Sequence, residues 1–313
     1  HACEGILDGR VKAMISLGGN LVRALPDRER MEAAWPKLRL SVHVATKLNR
    51  SHLAPGKVSY ILPCLGRTDR DIQAGGEQAV SMEDTFSHIY GSTGQAEPPS
   101  DQVKSELAVV AGIAKATPPP NPALRWDEWT ANYDLVRALI ARTFPDDFAE
   151  MNEKLMQPGG FYRGNPARER NWQTDSGKAQ FTTPTTLSAL GGKPAGKDGM
   201  TLVTLRSNDQ FNTTIYGFSD RLRGLSGGRE VVLIHPAEIE RLGLEEGQRV
   251  ALETLIDDGV NRRVEGLTVT SYDLPPGCVA GYYPELNPLV PLSYHEKNSQ
   301  TPAYKGTPVR IVA

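Results

Sequence analysis

The stretch TLVTLRSNDQFNTTIYGFSDRLRGLSGGR, residues 201–229, places a short apolar run directly before a dense group of polar side chains. Residues 201–205 alternate well enough to predict a buried strand. Amides, hydroxyls and arginines follow at the end of that strand, an arrangement that is suited to holding a polar ligand. A long loop with solvated side chains is the competing interpretation.

Arginines and glycines favour an anionic ligand over the solvated loop. Arg221, Arg223 and Arg229 carry guanidinium groups, which bind phosphates through paired hydrogen bonds. Glycine has no side chain and lets backbone amides approach a ligand closely, and glycines stand at positions 217, 224, 227 and 228. We therefore expect the rest of the chain to be organised around this segment.

The composition excludes several classes of protein. The chain has 313 residues, enough for two domains or one large one, and a formal net charge of -2, which gives no sign of a nucleic-acid or membrane surface. No apolar run is long enough to predict a membrane span. The three cysteines are far apart, which argues against a disulfide framework and indicates a reducing compartment, interpreted here as cytoplasmic. The six histidines form no HxH or HxxxH pair, so no metal ligands are predicted.

The first half of the chain has the pattern of an α/β domain with a parallel sheet. A strand over 11–17 ends at Gly18-Gly19-Asn20, an amphipathic segment follows over 26–38, and further strands are predicted over 39–45 and 58–62. Polar loops after successive strands suggest ligand contacts at the carboxyl edge of the sheet. The glycine turn lacks full GxGxxG spacing and is also explained by entry into a helix. The missing initiator methionine before His1 suggests that this domain is part of a longer protein.

Two polar groups in this half have structural alternatives. The segment 49–52, which contains Arg50 and His52, could line a site or could be a solvated loop. The charges of residues 67–71 alternate in sign, and we interpret them as a structural ion-pair cluster.

The remaining pattern divides the chain into three parts. Ser100 is a candidate cap for a helix that ends at the prolines after Thr117, a second helical segment covers 126–144, and a short helix covers 147–156. Residues 157–198 are rich in Gly, Pro, Thr and Lys and form a connection. The last part is predicted to be a barrel with a short helix that begins at Pro236 and ends at Gly243. Its strands are predicted over 201–206, 230–234, 248–255, 262–270, 277–281 and 307–312.

Several blocks give the chain a resemblance to a known family. It resembles the C-terminal part of molybdopterin-dependent oxidoreductases of the formate dehydrogenase and dimethyl sulfoxide reductase superfamily, and is most similar to the branch called formate dehydrogenase-like alpha subunit. The blocks in the first half are ISLGGN (15–20), TKLNRSH (46–52), YILPCLGRTDRD (60–71) and SMEDTFSHIYGSTG (81–94). The blocks in the second half are LRSNDQFNTTIYGFSDRLRG (205–224), YYPELNPLVP (282–291) and TPAYKGTPVRI (301–311).

The resemblance implies a cofactor, a fold and a set of contacts. In the family, two pyranopterin guanine dinucleotides hold one molybdenum or tungsten, and a double-psi β-barrel covers the dinucleotides. The implied domains are an α/β molybdopterin oxidoreductase domain (its C-terminal half) over 1–156, a connection over 157–198 and a dinucleotide-binding barrel over 199–313. The implied cofactor contacts are Gly18, Gly19, Asn20, Arg206, Ser207, Gln210, Phe211, Asn212, Thr213, Asn287 and Lys305.

The same resemblance leaves the catalytic residues outside this chain. The metal ligand and any iron–sulfur cysteines belong to an N-terminal part of the family's proteins, so we expect the 313-residue chain alone to be inactive. Arg50 and His52 fall where the family approaches the metal and substrate funnel. The sequence continues from Pro63 into Cys64-Leu-Gly-Arg, which departs from the glutamate and Gly-Thr pattern common in the superfamily and weakens transfer of any one substrate.

Two hypotheses from different classes follow. The first is a cofactor-binding portion of a molybdenum or tungsten oxidoreductase, with a small-molecule substrate, the missing N-terminal part of the same protein and a redox partner subunit as its partners. The second is a regulatory or assembly protein that binds a guanine nucleotide and catalyses nothing. Molybdenum or tungsten in the full-length protein would separate the first from the second.

Overall fold

The computed structural model describes residues 1–183, 198–213 and 216–313. The predicted connection 157–198 therefore lies partly outside the described residues, as does Thr214 in the polar loop. The α-helices are α1 (Ala2–Leu7), α2 (Leu21–Ala24), α3 (Arg28–Ala34), α4 (Glu106–Ala116), α5 (Trp126–Ala131), α6 (Asp134–Thr143), α7 (Pro145–Phe148), α8 (Met151–Leu155) and α9 (Pro236–Leu242).

The strands of the first half and of the residues after it are short. They are β1 (Ala13–Leu17), β2 (Leu40–Ala45), β3 (Val58–Pro63), β4 (Ile72–Gln73), β5 (Gly76–Glu77), β6 (Val80–Glu83), β7 (His88–Ser92) and β8 (Phe161–Tyr162). The strands of the last part are β9 (Met200–Leu205), β10 (Ser219–Asp220), β11 (Leu225–Ser226), β12 (Val231–Ile234), β13 (Arg249–Thr254), β14 (Arg263–Ser271), β15 (Cys278–Tyr282) and β16 (Lys305–Val312).

Strands β1, β2 and β3 form the predicted parallel sheet, in that order. β2 is the central strand and is largely buried, whereas β1 and β3 expose apolar side chains. The glycine turn and α2 follow β1 directly. The predicted strand, turn and helix are therefore confirmed, although the helical segment 26–38 ends as the 3-10 turn Trp35–Lys37.

A closed barrel confirms that the second half of the chain is a barrel, as its strand pattern predicted. Among the described residues, six strands close it in the order β12, β14, β13, β16, β9 and β15. β9 runs parallel to β15, with Thr201 opposite Cys278, and β12 runs parallel to β14. The other neighbours in the barrel are antiparallel. Each predicted strand of this half is present within two residues of its expected bounds.

The barrel is filled by alternate residues of its strands. Met200, Leu202, Val232 and Leu252 are fully buried because every second residue of a strand faces the same side. Helix α9 begins at Pro236 and ends at Gly243, whose φ of +66° is left-handed, as the sequence predicted. The His235 side chain accepts a hydrogen bond from the Ala237 amide and caps the first turn.

An ion-pair network joins the first residues of the chain to the barrel. Arg262 donates to both carboxylate oxygens of Asp27 and also pairs with Asp258 at 2.7 Å. Asp27 further accepts from the Leu292 amide at 3.0 Å. Burial acts against the charge of Arg262, but the bonds to Asp258 and Asp27 outweigh it and raise the pKa of the guanidinium. The network is buried at Asp27 and Arg262, which are separated by 235 positions in the sequence.

The residues divide into two compact units. The first contains His1–His43, Leu48–Ile61 and the described residues from 198 onward, and the second contains Val44–Lys47 and Leu62–Thr183. This division differs from the predicted domains 1–156 and 199–313, because most of residues 1–61 group with the barrel. The predicted boundaries follow sequence blocks rather than compactness, and they stay a prediction.

Three predictions about the second unit were wrong in detail. The cap of α4 is Ser105, whose Oγ accepts from the Ala108 amide at 3.2 Å, and Ser100 lies five residues upstream. The helical segment 126–144 is broken into α5 and α6, because the Tyr133 amide donates to Gln78 Oε1 at 2.8 Å instead of continuing the helix. The segment 147–156 is likewise divided, between α7 and α8.

The charged cluster at 67–71 also differs from its prediction. Arg70 pairs with Glu77 at 3.1 Å and Glu97 at 2.9 Å, rather than with its sequence neighbours. Asp71 is buried and accepts from the Tyr133 hydroxyl at 2.6 Å. The cluster is structural, as expected, but its partners come from other elements of the second unit.

Candidate functional site

The polar loop after β9 is shaped by the side chain of Gln210. Its Oε1 accepts from the Ser207 amide at 2.9 Å, and its Nε2 donates to the backbone oxygens of Asn212 at 2.8 Å and Tyr283 at 2.7 Å. Ser207 is buried and Gln210 half-buried. The side-chain amide of Gln210 is therefore occupied by hydrogen bonds within the protein.

Arg229 lies buried beneath this loop. It donates to Ser207 Oγ at 2.9 Å and to Gln210 Oε1 at 3.1 Å, and it pairs with Glu285 at 3.1 Å. Its guanidinium carbon lies 4.5 Å from the centre of the Tyr282 ring. The expectation that Arg229 binds an external anion was wrong, because the charge is neutralised inside the protein by a residue 56 positions away.

Two further arginines of the segment, Arg221 and Arg223, also have carboxylate neighbours. Arg223 pairs with Asp220, whose second oxygen faces the Asn208 amide at 3.3 Å, while exposed Arg221 lies 3.7 Å from Asp209. Burial acts against ionisation of Asp220, but hydrogen bonds from Arg223, Tyr282 and Asn208 outweigh it and lower the pKa of that carboxyl.

Tyr282 shares the buried side of Asp220. Its hydroxyl donates to Asp220 Oδ2 at 2.9 Å. Burial, reinforced by the bond to Asp220, raises the pKa of the Tyr282 hydroxyl to about 12. Arg223, Asp220 and Tyr282 therefore form a fixed inner layer behind the loop.

The outer side of the loop is different because it keeps polar groups that the protein does not use. Arg206 is exposed and lies 5.5 Å above the ring of Tyr283. Within the described residues its guanidinium makes no hydrogen bond or ion pair. Phe211 is 71 % exposed, and Asn212, with a left-handed φ of 49°, accepts from the Tyr283 hydroxyl through Oδ1 at 3.2 Å.

The turn Gly18-Gly19-Asn20 lies beside the end of the same loop. Asn20 is buried, and its Nδ2 donates to the backbone oxygen of Thr213 at 3.2 Å. Gly18 and Gly19 have φ values of +67° and +72°, which favour glycine. The Asn49 side chain donates to the Gly19 oxygen at 2.9 Å. The structure thus brings together two regions that the sequence had proposed separately as cofactor contacts.

Ser51 fixes the position of Asn20. Both its amide and its Oγ donate to Asn20 Oδ1, at 3.2 and 2.9 Å, and its Oγ accepts from the Val22 amide at 3.1 Å. Ser51 was part of the quoted segment 49–52 but was not proposed as a site residue. A serine between an arginine and a histidine gives no local indication that it bonds to a residue distant in the sequence.

Arg50 and His52 lie on a 3-10 turn that Asn49 caps. Arg50 is exposed and lies 3.4 Å from Glu32. His52 accepts from the Asn49 amide through Nδ1 at 2.9 Å, and its Nε2 is shielded from solvent without a hydrogen-bond partner. The His43 ring is 5.1 Å away, and burial, together with the nearby His52, lowers the pKa of His43.

Asn287 and Lys305 occupy different environments. Asn287 is fully buried, and its Nδ2 donates to the backbone oxygens of Ala24 at 3.0 Å and Arg23 at 3.3 Å, which joins it to α2. Its Oδ1 has no hydrogen-bond partner among the residues that the structure describes. Lys305 is exposed at the start of β16 and lies 3.3 Å from the Thr204 oxygen. The structure gives Asn287 a packing role and leaves Lys305 at the surface.

Tyr283 is a site residue that the sequence analysis did not name. Its backbone oxygen accepts from both Gln210 and Arg229, and its ring lies beneath Arg206. Burial raises the pKa of its hydroxyl. A tyrosine pair at the end of a predicted strand, Tyr282-Tyr283, was the available signal.

No metal centre is formed by the residues that the structure describes. Within ranges 1–183, 198–213 and 216–313, no group of three or more His, Cys, Asp or Glu side chains is placed to hold a metal ion. In the same ranges, no helix has the length and apolar character needed to cross a bilayer.

Comparison with known proteins agrees with the resemblance seen in the sequence. Residues 200–308 match the family described as "Molydopterin dinucleotide binding domain". An uncharacterized oxidoreductase of Mycobacterium tuberculosis is 44% identical over 317 residues, covering 99% of this chain and 40% of that protein. Protein YdeP of Escherichia coli is 42% identical over 315 residues, covering 98% of this chain and 40% of that protein.

One solved structure extends the comparison to the fold. Acetylene hydratase from Pelobacter acetylenicus superposes with a TM-score of 0.61 at 15% identity, covering 99% of this chain and 45% of that one. At this identity the likeness concerns the fold alone. The chain spans about two fifths, 40%, of the length of the curated relatives that it matches.

Proposed function

We propose that this chain binds molybdopterin guanine dinucleotide for a molybdopterin-dependent oxidoreductase. The premise is that the chain belongs with these enzymes and carries their dinucleotide-binding domain at residues 200–308. The observation that carries the proposal is the family match over the barrel whose polar loop meets the Gly18-Gly19-Asn20 turn. The cofactor would be a bis(pyranopterin guanine dinucleotide) that holds molybdenum or tungsten.

The outer side of the loop fits such a ligand. Arg206 has a guanidinium without a polar partner among the described residues, and guanidinium groups suit phosphates and the acceptor edges of guanine. Phe211 offers an exposed ring to a pterin or purine. Gly19 leaves open space where a side chain would begin, since nothing lies within 4 Å of a Cβ built there. These three residues would hold the cofactor directly.

The buried residues would act by holding the loop in place. Ser207 and Gln210 bond to each other and to Arg229, and Thr213 is fixed by Asn20. Asn212 would contribute a donor from the exposed side, and Asn287 would support the loop through α2. When bound, the cofactor supplies two-electron chemistry at its metal, while the protein binds and orients it.

The finer features of the proposal come from the resemblance. We propose that the closed barrel has the double-psi topology and that the enzyme is formate dehydrogenase-like. Arg50 would hold an anionic substrate near the metal, and His52 would relay a proton through its shielded Nε2. Lys305 would contact a dinucleotide from the position of the family's second contact loop. We also propose a cytoplasmic enzyme with a redox partner subunit.

A further polypeptide would complete the protein, and the parallel sheet supports this part of the proposal. Its edge strands expose Ile15, Leu17, Val58, Tyr60 and Ile61 by about half each, between 46% and 56%. Parallel sheets are usually covered on both faces. The chain also spans only 40% of its relatives. We propose that the missing N-terminal part covers these side chains and carries the metal ligand and any iron–sulfur cluster.

Elemental and nucleotide analysis of the full-length protein tests the function. We expect molybdenum or tungsten together with guanine nucleotide released on denaturation. Guanine nucleotide without either metal would favour the alternative, a non-catalytic guanine-nucleotide-binding or assembly protein. Neither metal nor nucleotide would overturn both.

An Arg206→Ala variant of the full-length protein tests the site. Loss of a hydrogen bond to a charged group costs about 1.5–3 kcal/mol, which lowers affinity about tenfold to a hundredfold. We expect less metal and nucleotide after purification, with unchanged stability. The matched control is Arg70→Ala, whose guanidinium pairs with Glu77 and Glu97 in the second unit. Equal cofactor content in the two variants would remove the loop from the site.

A further inference from the structure

Three arginines lie together near the glycine turn, with two carboxylates beside them. Arg23 lies in the last turn of α2, Arg28 begins α3, and Arg50 lies on the capped 3-10 turn. Arg23 and Arg50 repel the charge of Arg28, and the carboxylates of Glu32 and Glu29 oppose that repulsion. The cluster, defined here as the arginine cluster, therefore has an excess of positive charge.

Glu32 does not satisfy the cluster. Its Oε2 lies 3.4 Å from Arg50 Nη2, but its Oε1 is shielded from solvent and has no hydrogen-bond partner among the described residues. Arg28 Nη1 is likewise shielded and lacks a partner among the same residues. In the part of the chain that the structure describes, neither Arg23 nor Arg28 forms a side-chain hydrogen bond or an ion pair.

The position of Arg28 is unfavourable without an acceptor for its shielded nitrogen. A shielded nitrogen of a charged group without a partner retains its desolvation cost. Burial lowers the pKa of Arg28, and repulsion from Arg23 and Arg50 adds to that effect, while Glu32 and Glu29 oppose it. Since arginine stays charged at neutral pH, the protein cannot relieve the repulsion by losing a proton.

We propose that the arginine cluster binds a small oxyanion, a phosphate or a carboxylate, between Arg23 and Arg28. Guanidinium groups present paired donors that match the oxygens of both anions. A bound anion would give Arg28 Nη1 an acceptor and reduce the repulsion between the arginines. Glu32 would hold Arg50 to one side of the anion rather than neutralise the whole cluster.

The cluster is connected to the turn that forms the candidate site. The backbone oxygen of Arg23 accepts from Asn287, and Arg50 lies between Asn49 and Ser51, which bond to Gly19 and Asn20. An anion bound at the arginine cluster would therefore stabilise α2 and the 3-10 turn, which flank the Gly18-Gly19-Asn20 turn. The proposal concerns the 313-residue chain itself and does not require cofactor or turnover.

The melting temperature of the chain in increasing phosphate, and separately in formate, tests the proposal. Ionic strength is held constant with sodium chloride. A ligand that binds only the folded state raises the melting temperature in a saturable way. We expect saturation with at least one anion; saturation by phosphate alone identifies a phosphate site, and saturation by formate alone identifies a carboxylate site. A shift that does not saturate with either would overturn the proposal.

Variants separate the cluster from general screening of charge. Arg28→Gln and Arg23→Gln should each raise the half-saturating concentration about tenfold to a hundredfold. The control is Arg39→Gln, an exposed arginine of the same unit, which should bind as the parent does. Equal half-saturation in Arg28→Gln and Arg39→Gln would overturn the proposal.

Two further measurements complete the test. If Arg28→Gln does not fold, calorimetric titration of Arg23→Gln gives the same comparison. Metal and guanine content of the full-length Arg28→Gln protein should equal that of the parent if the anion is free in solution. If the cofactor itself supplies the phosphate, both should fall, and then phosphate should compete with guanosine diphosphate for the 313-residue chain.

Discussion

Two buried arginines of the barrel half, Arg229 and Arg262, hold their surroundings in different ways. Arg229 distributes its donors over a hydroxyl, an amide, a backbone oxygen and one carboxylate, that of Glu285, with an aromatic ring beside it. Arg262 places its donors on two carboxylates, Asp27 and Asp258. The first arrangement fixes the shape of a loop, and the second joins distant parts of the chain. Two arginines with similar burial therefore have different roles. Arg229 fixes the conformation of a loop, and Arg262 attaches distant parts of the chain to each other.

Removal of Arg262 should have the largest effect on stability. Arg262→Met removes both bonds from Arg262 to the buried carboxylate of Asp27, which keeps the Leu292 amide and Arg30, a side chain that is 44% exposed. Loss of one member of a buried pair costs about 3–5 kcal/mol, and we expect the lower end of that range. Urea unfolding of the 313-residue chain measures this change. Arg263→Met is the control, because Glu253 keeps Arg310 as a partner and Glu265 is exposed. We expect about 0–1 kcal/mol there, and equal costs for the two variants would show that the network does not attach the two parts.

Removal of Arg229 should destabilise less and affect the loop more. Arg229→Met loses hydrogen bonds of a charged group, at a cost of about 1.5–3 kcal/mol. We expect the full-length variant also to lose cofactor, because Ser207 and Gln210 lose their common partner. Arg229→Lys keeps the charge but not the paired geometry. Full cofactor content in Arg229→Met, despite lower stability, would show that Arg229 does not differ from Arg262 in its effect on the loop.

The smallest expected effect is the dependence of stability on acid pH through Asp220, which lies in the same loop region as Arg229. Its folded-state pKa is lowered, so its contribution is present above the unfolded value of about 3.9 and is lost as pH falls through the folded value. Asp220→Asn should therefore be less stable than the parent at pH 7, and the difference should shrink in acid. Urea unfolding across this range, with exposed Asp257→Asn as the control, measures it. A stability difference between Asp220→Asn and the parent that stays constant with pH would show that Asp220 does not contribute to the loss of stability in acid.

The sequence predicted the barrel well because its strands alternate and its turns carry local signals. β9, β13 and β14 have inward residues at every second position, and α9 has proline at its start and a left-handed glycine at its end. Such information lies within a few neighbouring residues. The short strands β4 to β7 were not predicted, because two to five residues in a polar, glycine-containing segment give little periodicity.

The site was harder to predict because its decisive contacts are distant in the sequence. Asn20 and Thr213 are 193 positions apart, and nothing near Asn20 indicates that its amide reaches the barrel loop. The resemblance implied Gln210 as a cofactor contact, yet its amide donates to the backbone oxygen of Tyr283, 73 positions away. Arg206 and Arg229 are equivalent as sequence letters, and only packing makes one exposed and the other buried.

The link between Asp27 and Arg262 has a consequence for the time at which the chain can mature during synthesis. The two residues are 235 positions apart. At about 5–20 residues per second, the ribosome needs roughly 10–50 s to reach Arg262 after Asp27 has been made. Throughout that interval Asp27 has its neighbour Arg30 but not Arg262. Attachment of residues 1–43 to the barrel through Arg262 is therefore an event of late synthesis.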